Sequence, residues 1–137
     1  KNYIYVSPNE IKPIINKKIT LTRQQHIVGS GVLEIDNNKN IGFISKVKIF
    51  KKYRGYGYCS KLIHKIITTS IKMKLIKLYL HVRCDNSIAI KCYKDNSFKI
   101  TKKNYENHQL FGYTMTLKLT YVWIWNIVIF NKTLKSF

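Results

Sequence analysis

The segment that most constrains the fold of this chain is residues 54–59, which carries glycines at positions 55 and 57. The run before it, residues 41–50, has the composition of a strand. Apolar residues after it recur at the period of a helix, at Cys59, Leu62, Ile63, Ile66, Ile67 and Ile71. Glycines between a strand and a helix let backbone N–H groups converge on an anion, which the helix dipole also favours. The sequence therefore predicts a strand, an anion-binding turn and an amphipathic helix in that order.

A second informative segment covers residues 76–98. Its first part alternates as a half-buried strand does, with apolar Ile76, Leu78, Leu80 and Val82 against polar Lys77, Tyr79, His81 and Arg83. Residues 87–94 then have the length of a short helix, and residues 98–101 and 111–119 are predicted to be closing strands.

Upstream of the glycines, Ser7, Pro8 and Glu10 form the pattern of a helix start. Residues 19–23 and 26–35 are predicted to be two strands joined by a tight turn at Gln24 and Gln25. The order of elements predicts an α/β fold with a mixed sheet, in one domain over residues 1–120.

Residues 121–137 are assigned to an apolar tail of unknown role. Their run 121–130 is shorter than the roughly 20 residues that cross a bilayer, so no transmembrane span is expected. The run could be an added strand, an interaction tail or sequence translated past a natural end. Because the chain opens with Lys rather than Met, it is also open whether the numbered sequence is a fragment.

The formal net charge of +19 allows an anionic partner such as nucleic acid, a membrane surface or a polyphosphate cofactor. However, 22 of the 25 basic residues are lysines, which A/T-rich coding also produces. Specific nucleic-acid recognition favours arginine, and only Arg23, Arg54 and Arg83 are present, so no specific nucleic-acid partner is expected. Three cysteines without C-x-x-C spacing predict neither a disulfide framework nor a zinc site. We therefore expect no metal and a cytoplasmic or nuclear location; the oligomeric state is not indicated.

The glycine segment resembles the R/Q-x-x-G-x-G/A motif of the GNAT superfamily of N-acetyltransferases, with Cys59 where Gly or Ala is usual. The resemblance implies the acyl-CoA N-acyltransferase fold, with acetyl-CoA as cosubstrate. The first strand and helix of that fold are expected to be missing from this chain. The resemblance assigns CoA pyrophosphate binding to the backbone of Arg54, Gly55, Tyr56, Gly57, Tyr58 and Cys59. It assigns the pantetheine arm to a strand segment that separates from its neighbour, at Val47, Lys48 and Ile49.

The second segment resembles the L-H-V-x-x-x-N-x-x-A-x-x-x-Y-x-x-x-G-F pattern of protein N-terminal acetyltransferases, of the NatE and NatF kind, with Ser97 in place of the common Gly. The resemblance places Tyr93 at the position that protonates the departing thiolate and Asn86 at a CoA-binding position. It makes His81 a catalytic residue on the amine side. It also implies that Phe43, Tyr105 and Tyr113 contact the acceptor. Phe43 stands where the related enzymes have a tyrosine that works with the histidine.

The chemistry fits these residue types. An α-amine has a pKa of about 7.7–8.0, so a histidine is a strong enough base, and a phenol can protonate a thiolate. We expect direct transfer of acetyl to the N-terminal α-amine of proteins in a ternary complex. Two alternatives remain: a lysine or small-molecule amine as acceptor, or a degenerate, non-catalytic protein that kept the fold. A small cationic acceptor usually requires carboxylates, and Asp and Glu total only 6.

Overall fold

The computed structural model describes residues 14–119. The predicted helix start at Ser7, the question of a missing first strand, and the tail at 121–137 lie outside that part of the chain. The elements are β1 (Ile15–Arg23), β2 (His26–Asp36), β3 (Ile41–Ile49), α1 (Tyr58–Lys72), β4 (Lys77–Arg83), α2 (Ser87–Asp95), β5 (Lys99–Glu106) and β6 (Gln109–Lys118). One 3-10 turn, Lys51–Tyr53, lies between β3 and the glycines.

The six strands form one mixed sheet in the order β1-β2-β3-β4-β6-β5. Only β3 and β4 are parallel, and α1 makes the crossover between them. All other neighbours pair antiparallel. This architecture confirms the predicted α/β class with a mixed sheet.

The core lies on the sheet face that packs against the helices. The apolar stripe of α1 is fully buried at Leu62, Ile63 and Ile66, and it faces the inward positions of β2, β3 and β4. Each of these strands alternates between buried and more exposed residues, as the period of two requires. The other face of β3 and β4 carries Phe43, Tyr79 and His81, whose rings contact one another. We call this second side of the sheet the open face.

Two strands are longer than the sequence predicted. The first begins at Ile15 instead of residue 19, and β5 continues to Glu106 instead of ending at residue 101. Both pair on one side only within the described sheet, and nearly all of their added residues are exposed. Lysine-rich edge strands lack the apolar alternation on which the prediction depended. The tight turn at Gln24 and Gln25 is confirmed, because both residues have positive φ, as a two-residue hairpin requires.

Candidate active site

The parallel pair β3–β4 separates at the end nearest the glycines. Pairing runs from Ile41 opposite Lys77 to Ile44 opposite Leu80 and then stops, although both strands continue. A bulge lies at the same point, where the register between β2 and β3 shifts and Lys46 has a φ of 53°. Residues Val47, Lys48 and Ile49 therefore lie in a strand segment that does not pair with β4. A parallel strand that loses its neighbour leaves backbone groups available to an extended ligand.

The glycine turn has the geometry of an anion cradle. Gly55 and Gly57 have φ values of 86° and 77°, and an added Cβ at either position would point into open space. Gly57 is the N-cap of α1 without a side-chain cap, and the first turn of α1 contains no acidic residue. The backbone N–H groups that begin a helix lack intrahelical partners, so this helix start can bind an anion. The guanidinium of Arg54 donates from Nε to the carbonyl of Ile49 over 2.9 Å, which fixes the turn to the end of β3.

The start and end of α2 fix two predicted residues. Asn86 is the N-cap, and its Oδ1 accepts from the backbone N–H of Ala89 at 3.2 Å. At the other end Phe98 N–H donates to the carbonyl of Tyr93 and Ser97 N–H to that of Lys94, both over 3.0 Å. This is a Schellman motif with Ser97 at the left-handed position, φ 71°. Asn86 thus has a structural role in addition to its predicted contact with CoA.

Tyr93 lies on the helix side of the sheet, next to the first turn of α1. Its ring packs 6.1 Å from that of Phe98, and the residue is 6% exposed. The amide of Asn96, one turn later, donates to Ser60 Oγ on α1 at 2.9 Å and so joins the end of α2 to the glycine turn. Burial raises the pKa of Tyr93, and the neighbouring Cys59 and Cys92 raise it further. The phenol is protonated at neutral pH, as an unperturbed tyrosine also is.

Two thiols lie beside Tyr93. Cys59 of α1 and Cys92 of α2 interact with each other, which lowers the pKa of Cys59 and raises the pKa of Cys92. Burial adds to the rise at Cys92. Cys59 occupies the motif position where Gly or Ala is usual, and its thiol interacts with Cys92 of α2.

His81 lies on the open face. Its Nδ1 is 2.9 Å from Thr114 Oγ1, and Asn104 Nδ2 donates to the same oxygen at 3.1 Å. When Nδ1–H donates to Thr114, Nε2 is the free acceptor nitrogen. The His81 ring is 5.2 Å from that of Phe43 and 6.1 Å from that of Tyr79. Phe43 thus contacts the histidine with an apolar ring, and Tyr79 supplies the nearest phenol.

The remaining predicted acceptor residues are not brought together with Phe43. Tyr113 pairs with Val82, on the helix side of the sheet, and packs against the core. Tyr105 is 63% exposed near the end of β5. Thr114, which contacts His81, and Asn104, which donates to Thr114, were missed, because only the strand register brings them next to the histidine. Within residues 14–119 no group of three His, Cys, Asp or Glu side chains is arranged to hold a metal ion. No helix in that part of the chain has the length and hydrophobicity to cross a membrane.

The chain is similar to known acetyltransferases. The model of the acetyltransferase (GNAT) family matches residues 11–98. Among solved structures, a mutant form of the spermidine/spermine N-acetyltransferase from Vibrio cholerae superposes with a TM-score of 0.66 and 21% identity, over 75% of this chain and 66% of that one. The ribosomal-protein-S18-alanine N-acetyltransferase from Escherichia coli has a TM-score of 0.65 and 18% identity, over 75% and 68%.

A Bacillus subtilis acetyltransferase in complex with CoA has a TM-score of 0.65 and 14% identity, over 76% of this chain and 77% of that one. At these identities the likeness shows the fold. The chain spans about two thirds of the length of the Vibrio and Escherichia enzymes. No curated protein sequence matches this chain.

Proposed function

The chain belongs to the acetyltransferase (GNAT) family, and we propose that it transfers acetyl from acetyl-CoA to the N-terminal α-amine of proteins, in a ternary complex. Its described residues have the mixed α/β fold of the GNAT acetyltransferases. The preferred acceptor and the roles of individual residues are the proposed part. The resemblance of residues 80–98 to the motif of NatE and NatF enzymes supports this acceptor.

One observation carries the proposal: His81 and Tyr93 lie on opposite faces of the sheet, and β3 and β4 separate at this end of the sheet. Beyond Ile44 and Leu80 the two strands no longer pair, so the opening connects the open face with the helix side. A nucleophile beside His81 can therefore approach from one face while the leaving thiolate departs toward Tyr93 on the other. This arrangement suits direct transfer without a covalent enzyme intermediate.

The chain's own residues divide the task. The glycine turn and the uncapped start of α1 bind the pyrophosphate. The pantetheine arm binds the strand segment of residues 47–49, which pairs with β2 but not with β4. Asn86 uses Oδ1 for capping, so its Nδ2 is the group available to the cofactor. Bound acetyl-CoA supplies the acetyl group as a thioester. The turn fits this ligand because neither glycine position carries a Cβ to fill the cradle.

Proton transfer belongs to Tyr93 and His81. The buried phenol of Tyr93 donates a proton to the departing sulfur. His81 Nε2 accepts the proton of the attacking amine, directly or through one water, while Thr114 holds the ring through Nδ1. Phe43 cannot take part in such a relay, so Tyr79, whose ring lies 6.1 Å from that of His81, supplies the phenol on the open face.

The scarcity of carboxylates supports an α-amine acceptor over a polycation. Three of the carboxylates between residues 14 and 119 are already engaged, Asp85 and Asp95 in ion pairs and Asp36 in its own hairpin turn. The solved relatives include enzymes named for each acceptor type, spermidine/spermine and a ribosomal-protein alanine. The acceptor class must therefore be decided by experiment.

The decisive experiment incubates the protein and acetyl-CoA with three kinds of acceptor in parallel reactions. The acceptors are a library of N-terminal peptides, lysine-containing peptides blocked at the N-terminus, and spermidine. Mass spectrometry then locates each added acetyl group. We expect acetylation of free peptide N-termini, with much slower modification of the other acceptors. Preferred acetylation of spermidine or lysine would overturn the acceptor assignment, while the assignment of the chain to the acetyltransferase (GNAT) family would still hold. CoA binding without any acetyl transfer would support the alternative that the chain is a non-catalytic protein that kept the fold.

A further inference from the structure

A cavity of about 340 Å³ lies beside the glycine turn, at the end of the β1–β2 hairpin. It is lined by Leu21, Thr22, Arg23, Tyr56, Tyr58 and Lys61. Its size is within the range of small-molecule sites. Two of its residues, Tyr56 and Tyr58, belong to the turn itself, so the cavity and the proposed pyrophosphate cradle share a wall.

Tyr58 organises the polar groups of this cavity. Its ring is buried, 7% exposed, and its hydroxyl accepts a hydrogen bond from Arg23 Nη1 at 2.6 Å. Lys61 Nζ lies 5.3 Å from the centre of the same ring. Since Arg23 donates to the Tyr58 oxygen, the O–H of Tyr58 points elsewhere and can donate a hydrogen bond to a ligand. Arg23 likewise keeps further N–H donors.

The cavity contains cations and donors without a carboxylate. Of the ion pairs within residues 14–119, Arg83–Asp85 and Lys91–Asp95, neither involves Arg23 or Lys61. Two positive side chains and a phenol that converge without a negative partner match the chemistry of a phosphate group. The exposed ring of Tyr56, 67% exposed and 6.2 Å from that of Tyr58, offers a flat surface for a base.

We propose that this cavity binds the 3′-phosphoadenosine part of CoA, with Arg23, Lys61 and the Tyr58 hydroxyl on the 3′-phosphate and Tyr56 against the adenine. The inference rests on the proposed function, because it extends the same cofactor site. It adds that β1, which is remote in sequence from both motifs, recognises one specific phosphate. The chain should therefore distinguish CoA from 3′-dephospho-CoA.

The test measures binding by calorimetry for CoA, 3′-dephospho-CoA and adenosine 3′,5′-bisphosphate, with inorganic phosphate as a competitor. We expect the wild-type protein to bind CoA about tenfold more tightly than 3′-dephospho-CoA, the range of a charge-assisted phosphate contact. Adenosine 3′,5′-bisphosphate should bind measurably by itself. Inorganic phosphate at the same concentration should not displace it.

The variant Arg23→Gln/Lys61→Gln should lower CoA affinity about tenfold and bring the ratio between CoA and 3′-dephospho-CoA close to one. Lys72→Gln, an exposed lysine in the last turn of the same helix, removes a charge far from the cavity and should keep the wild-type ratio. A wild-type ratio near one, or an unchanged ratio in the folded double variant, overturns this inference and leaves the proposed function standing. Failure of the wild-type protein to bind either form of CoA overturns both.

Discussion

Tyr93 is the residue whose surroundings most clearly suit a chemical role. It is buried on the helix side, next to the glycine turn, and no other described residue is hydrogen-bonded to its hydroxyl. We expect Tyr93→Phe to lower kcat by about 10²- to 10⁴-fold, the usual contribution of a general acid. CoA affinity should change little, because the proton is needed chiefly in the transition state. Steady-state kinetics and calorimetry measure the two effects separately.

Tyr53→Phe is the matched control, because it removes a phenol from the neighbouring 3-10 turn without touching α2. Its turnover should stay close to the wild-type value. Equal turnover of folded Tyr93→Phe and the wild-type protein would remove Tyr93 from the mechanism and leave the cofactor site in place.

The raised pKa of Tyr93 also makes stability depend on pH. The unfolded chain releases the phenol proton near pH 10, whereas the folded protein retains it to higher pH. The native state therefore binds more protons above pH 10, and its stability falls as pH rises through that range, by at most about 1.4 kcal/mol per pH unit. Urea unfolding between pH 9 and 11 should show a steeper loss in the wild-type protein than in Tyr93→Phe. Parallel curves would contradict this.

Phe43 allows a test of the open face. Its ring is 5.2 Å from that of His81, so a phenol oxygen there can share a water with His81 Nε2. We expect Phe43→Tyr to raise turnover by about tenfold, and only while His81 is present. In His81→Ala the same change should have no effect, because the relay has no base. Additive effects in a double-mutant cycle would show that the two residues act independently.

Secondary-structure elements fix the positions of these residues, and at the end of α2 this requires a strained backbone conformation at Ser97. Ser97 is exposed and has φ 71°, a region that costs a residue with a Cβ about 1–2 kcal/mol. Replacing Ser97 by glycine would remove this cost, but part of the gain in stability is lost because glycine has greater conformational freedom in the unfolded chain. Ser97→Gly should therefore stabilise the protein by about 1 kcal/mol, measured by urea unfolding.

Ser87→Gly serves as the control for that change. Ser87 is exposed and begins α2, where glycine has no conformational advantage, so the protein should lose about 0.5 kcal/mol. Stabilisation by both substitutions, or by neither, would mean that the left-handed conformation at Ser97 carries no strain.

The elements also show what the sequence can predict. Strong periodicity located α1 and β4, and the glycines located the turn between β3 and α1, because these patterns arise from burial on one face. The edge strands were predicted too short, since their residues face water and show no period. The chain of hydrogen bonds from Asn104 through Thr114 to His81 depends on register across three strands, and Arg23 reaches Tyr58 over 35 positions of sequence. Local patterns carry no information about such pairings.

At the scale of the whole molecule, charge is the dominant feature. The chain has 25 basic and 6 acidic residues, and only two side-chain ion pairs occur within residues 14–119. Self-repulsion of this kind destabilises a compact state, while the same positive potential attracts a polyanionic ligand. Added salt screens both interactions. Stability and CoA binding should therefore respond to salt in opposite directions.

We expect the Tm of the free protein to rise by a few degrees between 20 and 500 mM NaCl, and CoA affinity to fall by about tenfold over the same range. Chloride is the appropriate salt, because sulfate could occupy the glycine turn and stabilise the protein by binding. Glucose at matched osmolality is the control and should leave CoA affinity unchanged. A Tm that falls with NaCl would mean that the surface lysines are already neutralised. CoA affinity indifferent to NaCl would mean that the uncharged contacts of the turn and strand, rather than the +19 field, hold the cofactor.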